Sequence, residues 1–81
     1  MIDPLSAFNY LVNMKWIVSD LEHLGGSPRV RETRIAVSLI LQCLASGMSI
    51  PEIVEEYPSL TEEAVRGVLK ELGEQEERHA A

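Results

Sequence analysis

Gly25-Gly26-Ser27-Pro28-Arg29-Val30-Arg31-Glu32-Thr33-Arg34-Ile35 is the stretch that decides how this chain is read. Gly-Gly-x-Pro ends whatever precedes it, because glycine admits positive φ and proline fixes φ near −65°. Arg29, Arg31 and Glu32 then face outward and Val30 inward, so Arg29 to Ile35 reads as a short strand. Upstream, Lys15-Trp16-Ile17-Val18-Ser19 is a second β-like run ending at Asp20. The two strands can pair with each other or with a partner chain. A two-stranded ribbon is marginal alone and must lie on something.

Downstream the period changes from two to 3.6. Ala36 to Ser46 reads as a helix with a stripe of Val37, Ile40, Leu41 and Leu44. Leu39 and Cys43 are apolar off that stripe: they read as surplus apolar surface that a dimer would cover, and Cys43 also as a small core hydrophobe. Gly47 fits the left-handed position that follows a helix. Ser49-Ile50-Pro51-Glu52 is a capping box with proline in the first turn. Ile50, Ile53, Val54 and Tyr57 form the buried face, and Pro58 stops this second helix. Thr61 caps a third helix, with Glu62 and Glu63 at its positive end. Ala64, Val65, Val68, Leu69 and Leu72 face inward, and the helix is expected to fray near Gly73.

The resulting fold class is mainly α: a trihelical, homeodomain-like helix-turn-helix core with a short N-terminal β-ribbon. Residues 1–14 form an extension, 15–72 the single domain and 73–81 an acidic solvated tail. The extension is weakly patterned, so residues 1–13 are expected to be dispensable and Met14 to mark the true start of translation. Trp16, Tyr10 and Phe8 suit packing of the ribbon onto the first helix, with anchors of a protein interface as the other reading.

Size and charge bound the function. A chain of 81 residues buries only about 60% of its unfolded surface, which favours a homodimer or a partner. The single cysteine, Cys43, leaves no disulfide to form and suits a reducing, cytoplasmic setting. No segment reads as a membrane span. Through Ile35 four acids meet four bases; from Ala36 onward nine acids meet only Arg66, Lys70 and Arg78, which gives the net −6. That half repels phosphate.

The basic cluster Arg29, Arg31 and Arg34 has two readings. It is a phosphate-contacting arm or a grip on an acidic partner, or it pairs internally with Asp20, Glu22 or helical carboxylates. Arg66 and Lys70, spaced four apart after Glu62, are the contacts a DNA-reading third helix would use. The plainer account is a Glu62–Arg66 pair on the helix surface. His23 and His79 lack metal-ligand spacing, and no Ser/His arrangement suggests nucleophilic catalysis. No cofactor, metal, small-molecule substrate or enzymatic activity is therefore expected.

The run Val18-Ser19-Asp20, Gly25-Gly26-Ser27-Pro28-Arg29-Val30-Arg31, Thr33-Arg34-Ile35, Val37, then Gly47-Met48-Ser49-Ile50 to Tyr57-Pro58 and Leu60-Thr61 resembles the domain-of-unknown-function 433 family. Its pattern reads roughly Gly-Gly-x-Pro-x-Ile-x-Gly-Thr-Arg-Ile-Pro-Val. The resemblance runs from about Lys15 to Leu72. Glu32 stands where that family has glycine and Ala36 where it has proline. The resemblance implies a small helix-turn-helix protein acting as the antitoxin of a toxin–antitoxin pair, bound to a PIN-like ribonuclease toxin, with autoregulatory DNA binding. A transcriptional regulator and a purely structural dimerisation module are the alternatives.

Overall fold

The computed structural model describes residues 14–79. The expectations for residues 1–13, including Tyr10, Phe8 and the start at Met14, lie outside the described residues. Two short strands, β1 (Ile17–Val18) and β2 (Arg29–Val30), precede three helices: α1 (Val37–Ala45), α2 (Ile50–Glu56) and α3 (Glu62–His79). The architecture is mainly α, with one two-stranded antiparallel ribbon, as expected.

The ribbon pairs Ile17 with Val30 and Val18 with Arg29. Ile17 and Val30 are fully buried, so one face of the ribbon is core. β2 is shorter than the expected Arg29–Ile35 strand, and Thr33 supplies the reason. Its hydroxyl donates to Val30 O at 2.8 Å and accepts from Ile35 N at 3.0 Å. Val30 N then reaches Ile35 O at 2.9 Å. A side chain that serves both backbone groups favours a turn over a strand. Glu32, at the tip, takes φ of 63°, the left-handed region that glycine fills without cost.

The ribbon enters from a second left-handed turn. Leu24, Gly25 and Gly26 have φ of 52°, 62° and 92°. Gly26 N donates to His23 O, and Ser27 N to Leu24 O. Two overlapping turns with positive φ at both central positions have the sign pattern of type I′ turns. Buried Ser19 locks them by donating to Gly26 O at 3.0 Å.

The helix ends follow local chemistry. α1 closes in a Schellman arrangement: Gly47 has φ of 99°, Met48 N donates to Cys43 O and Gly47 N to Leu44 O. α2 opens with the full capping box. Glu52 N donates to Ser49 Oγ at 3.2 Å and Ser49 N to Glu52 Oε1 at 2.9 Å. Holding that backbone N–H, with the Ser49 side chain assisting, keeps the Glu52 carboxyl below its ordinary range. Thr61 Oγ1 accepts from Ala64 N at 3.0 Å to open α3. α1 differs in that Ala36 offers no side-chain cap; Val37 N instead donates to Pro28 O at 3.0 Å, tying the helix to the ribbon's approach.

Two expectations about the helices change. In α1 the inward stripe is Val37, Ile40 and Cys43, while Leu41 keeps 43% exposure. Cys43 is core, as its reading as a small core hydrophobe has it, and the surplus apolar surface lies at Leu41 instead. α3 does not fray at Gly73 but runs to His79. One glycine costs a helix only about 1 kcal/mol, and Glu74, Gln75, Glu76 and Glu77 all have good helix propensity. The core joins Ile17 and Val30 of the ribbon to Ile40, Ile53, Leu60, Val65 and Val68 of the helical part.

Candidate functional site: an arginine-lined groove beside the ribbon

The ribbon is fixed to α3 by two contacts that sequence reading missed. The Glu71 carboxylate accepts from Trp16 N at 2.9 and 2.8 Å and from Ile17 N at 3.0 Å. One helix turn earlier, Gly67 faces the Trp16 indole. A Cβ placed there would fall within the ring, nearest Cδ1, Nε1 and Cγ. Trp16 therefore packs on the third helix, while the ribbon meets the first helix, as expected, through β2. Lys15 Nζ sits 5.3 Å from the centre of the same ring, within cation–π range.

Pinning β1 in this way also occupies its outer N–H groups. The far side of β2 is taken by the return of Ile35 and Ala36, where Arg29 bridges Ala36. Among the described residues, the outward N–H of Ile17, which a partner strand would otherwise use, is thereby engaged.

The three arginines of the signature stretch line one open groove of about 810 Å³, together with Asp20, His23 and Ser59. Their roles differ. Arg29 is internal: its side chain is only 12% exposed and pairs with Asp20 Oδ2 at 2.9 Å. It also donates to Thr33 O at 3.1 Å, so it holds the Glu32 loop to the Asp20 loop. Its Nε is buried without a partner among the described residues. Arg31 is exposed and braces the chain entering β1, donating from Nε to Lys15 O at 2.6 Å and from Nη2 to Met14 O at 3.1 Å. Arg34 is exposed. Among the described residues it has no hydrogen bond or ion pair.

Asp20 organises the groove. His23 Nδ1 lies 2.7 Å from Oδ1, and Glu22 N donates to the same oxygen at 3.0 Å. The bond from His23, then that from Arg29, holds the Asp20 carboxyl down at about 2. At neutral pH the carboxylate is matched by the Arg29 charge. Arg31 and Arg34 remain on the rim as cations, opposed there by Glu32. The internal-pairing reading thus holds for Arg29 and not for Arg34.

On α3, Arg66 is exposed and pairs with Glu62 at 3.0 Å, the plainer of its two readings. Lys70 is exposed and has no ion pair among the described residues. Neither Arg66 nor Lys70 lines the arginine groove. The described residues contain no group of His, Cys, Asp and Glu side chains suited to a metal ion. None of the described helices is long and apolar enough to cross a membrane.

No match is found among the curated proteins. Among solved structures, the chain is similar to a DUF433 member protein from Anabaena variabilis ATCC 29413, with a TM-score of 0.68 and 26% identity, over 96% of this chain and 80% of that one. The sequence pattern of the family described as a protein of unknown function, DUF433, matches residues 17–70. That span takes in the ribbon, the arginine groove and most of α3. With two thirds of its length matched and the same fold in a solved member, the chain belongs to the DUF433 family.

Proposed function

We propose that this protein is a non-enzymatic interaction protein of the antitoxin kind, which grips an acidic surface of a PIN-like ribonuclease through Arg31 and Arg34. The observation that carries the reading is the division of labour among the cations. Arg29 neutralises Asp20 inside the groove, leaving Arg34 exposed and unpaired among the described residues. Arg66 is engaged by Glu62. An arginine fork bonds a carboxylate in a bidentate manner, and a metal-dependent nuclease clusters carboxylates at its active site.

DNA binding through α3 is the weaker reading. Glu62 and Glu63 occupy its first turn, the end that a recognition helix brings to the major groove. Negative charge there opposes phosphate.

The test is titration of the purified protein into a PIN-like ribonuclease encoded beside it. The Arg31→Ala/Arg34→Ala variant should bind at least tenfold more weakly with unchanged helical circular dichroism. Arg66→Ala/Lys70→Ala should bind as the parent does. Binding to the ribonuclease that ignores the first pair overturns the assignment. A salt-dependent promoter shift abolished only by the second pair would make the protein a DNA-binding regulator.

A further inference from the structure

From Ile35 to Pro51 the chain carries no charged residue. α1 occupies the middle of that stretch. Its outward positions Ser38, Leu41, Gln42 and Ala45 are all exposed. Beside Leu41 opens an apolar groove of about 260 Å³, lined by Ile17, Pro28, Val37 and Leu72 along with Ser38 and Leu41. A half-exposed leucine thus stands next to a hollow lined by its own neighbours. This groove shares no residue with the arginine groove.

We infer that the uncharged face of α1 is a self-association surface, packed against the same face of a second copy with each Leu41 in the other's groove. A two-fold contact buries the same patch on both copies, so the net charge of that patch is set against itself. On a chain of net charge −6 that requirement is selective. α2 exposes Glu52, Glu55 and Glu56, and α3 exposes Glu63, Glu74, Glu76 and Glu77 against Arg66 and Lys70; either face set on itself would bring together more carboxylates than cations. The outward face of α1 carries no charge, as the centres of protein interfaces tend to. Small Ser38 and Ala45 let two helices approach closely. The knob and the hollow lie side by side, which makes the surface complementary to itself. A nine-residue helix spans only about 13 Å, so the contact is small and the association weak.

Sedimentation of the full chain from micromolar to near-millimolar concentration tests this. The mass should rise towards twice the 9.0 kDa of one chain. Added salt should strengthen the association by screening the −6 repulsion, opposite to an interface held by ion pairs. Leu41→Lys should hold the protein at monomer mass. Ala45→Glu is the second variant, at an exposed position where folding is not at stake. Leu21→Lys, at an 80% exposed leucine outside both grooves, should leave the association unchanged. A monomer at every concentration overturns the inference. So does a dimer that persists in both α1 variants, or one that Leu21→Lys abolishes. None of these outcomes bears on ribonuclease binding by Arg31 and Arg34.

Discussion

Gly67→Ala should destabilise the protein although it improves the helix. In a helix interior the change is favourable by about 1 kcal/mol, because glycine loses more backbone freedom on folding. Here the new methyl would occupy the space of the Trp16 indole, and a rigid ring cannot yield as a flexible chain end does. Trp16 must leave its seat. Exposing roughly 100 Å² of ring at about 25 cal/mol/Å² costs about 2.5 kcal/mol. The net is a loss of about 1.5 kcal/mol, or roughly 6–12 °C in Tm for a domain of this size. Trp16 is the only tryptophan, so its emission reports the seat directly and should shift to the red in the native state. In a Trp16→Ala background the obstacle is gone, and Gly67→Ala should stabilise by about 1 kcal/mol. The two changes therefore couple by about 2.5 kcal/mol with a reversal of sign. Chemical denaturation of the four proteins gives the cycle. If Gly67→Ala raises stability with Trp16 present and leaves its emission unmoved, the indole is not seated on α3 and the account of how the ribbon is fixed fails.

Glu32→Gly should stabilise by about 0.5 kcal/mol, as relief of a left-handed residue outweighs the added freedom of the unfolded chain; the denaturant midpoint reads it. Gly47→Val should cost more than about 1 kcal/mol through its positive φ, and Ser49→Ala about 1 kcal/mol through the lost cap, both measured by the same transition. Arg29→Ala should lower Tm while Arg34→Ala leaves it unchanged, because of these two only Arg29 is engaged in the fold; equal melting of the two would show that the Asp20 pair is not structural. Asp20 has a folded pKa depressed from 3.8 to about 2, so its contribution is fully present above 3.8 and is lost as pH falls through 2. Thermal melts should therefore lose stability over that acid window, and Asp20→Asn should flatten the loss.

What could be read from the sequence was chemistry acting over three or four residues. Ser49 with Glu52, Thr61 with Ala64, and Gly47 after α1 are such cases, and each sits where local spacing places it. The inward face of α1 was not readable. With Leu39, Ile40, Leu41, Cys43 and Leu44 all apolar, periodicity leaves the phase undetermined, and only the tertiary packing buries Cys43 and leaves Leu41 at the surface. The contacts of Trp16 with Glu71 and Gly67 join residues more than fifty positions apart, and no local signal marks them. Glu71 looked like one more acid on a negatively charged helix. The arginine cluster was visible as a cluster, but its division into an internal Arg29, a bracing Arg31 and a free-standing Arg34 depended on where Asp20 and the chain entering β1 came to lie. Gly73 reads as a stop signal, yet the segment around it is rich in helix formers, and α3 runs through it to His79.

The position of Glu71 has a consequence for how this protein behaves in a crowded solution. An unpaired strand edge is a template on which another chain can add, and small proteins with exposed ribbons are prone to such growth. Here one carboxylate takes the outward N–H groups of Trp16 and Ile17, and the return through Ile35 and Ala36 takes the far side of β2. The β1 edge thereby offers a third strand no free N–H at Ile17. Removing the Glu71 side chain would loosen the ribbon and also uncover a sticky edge, so its loss should show first as precipitation on concentration or as fibrils on storage.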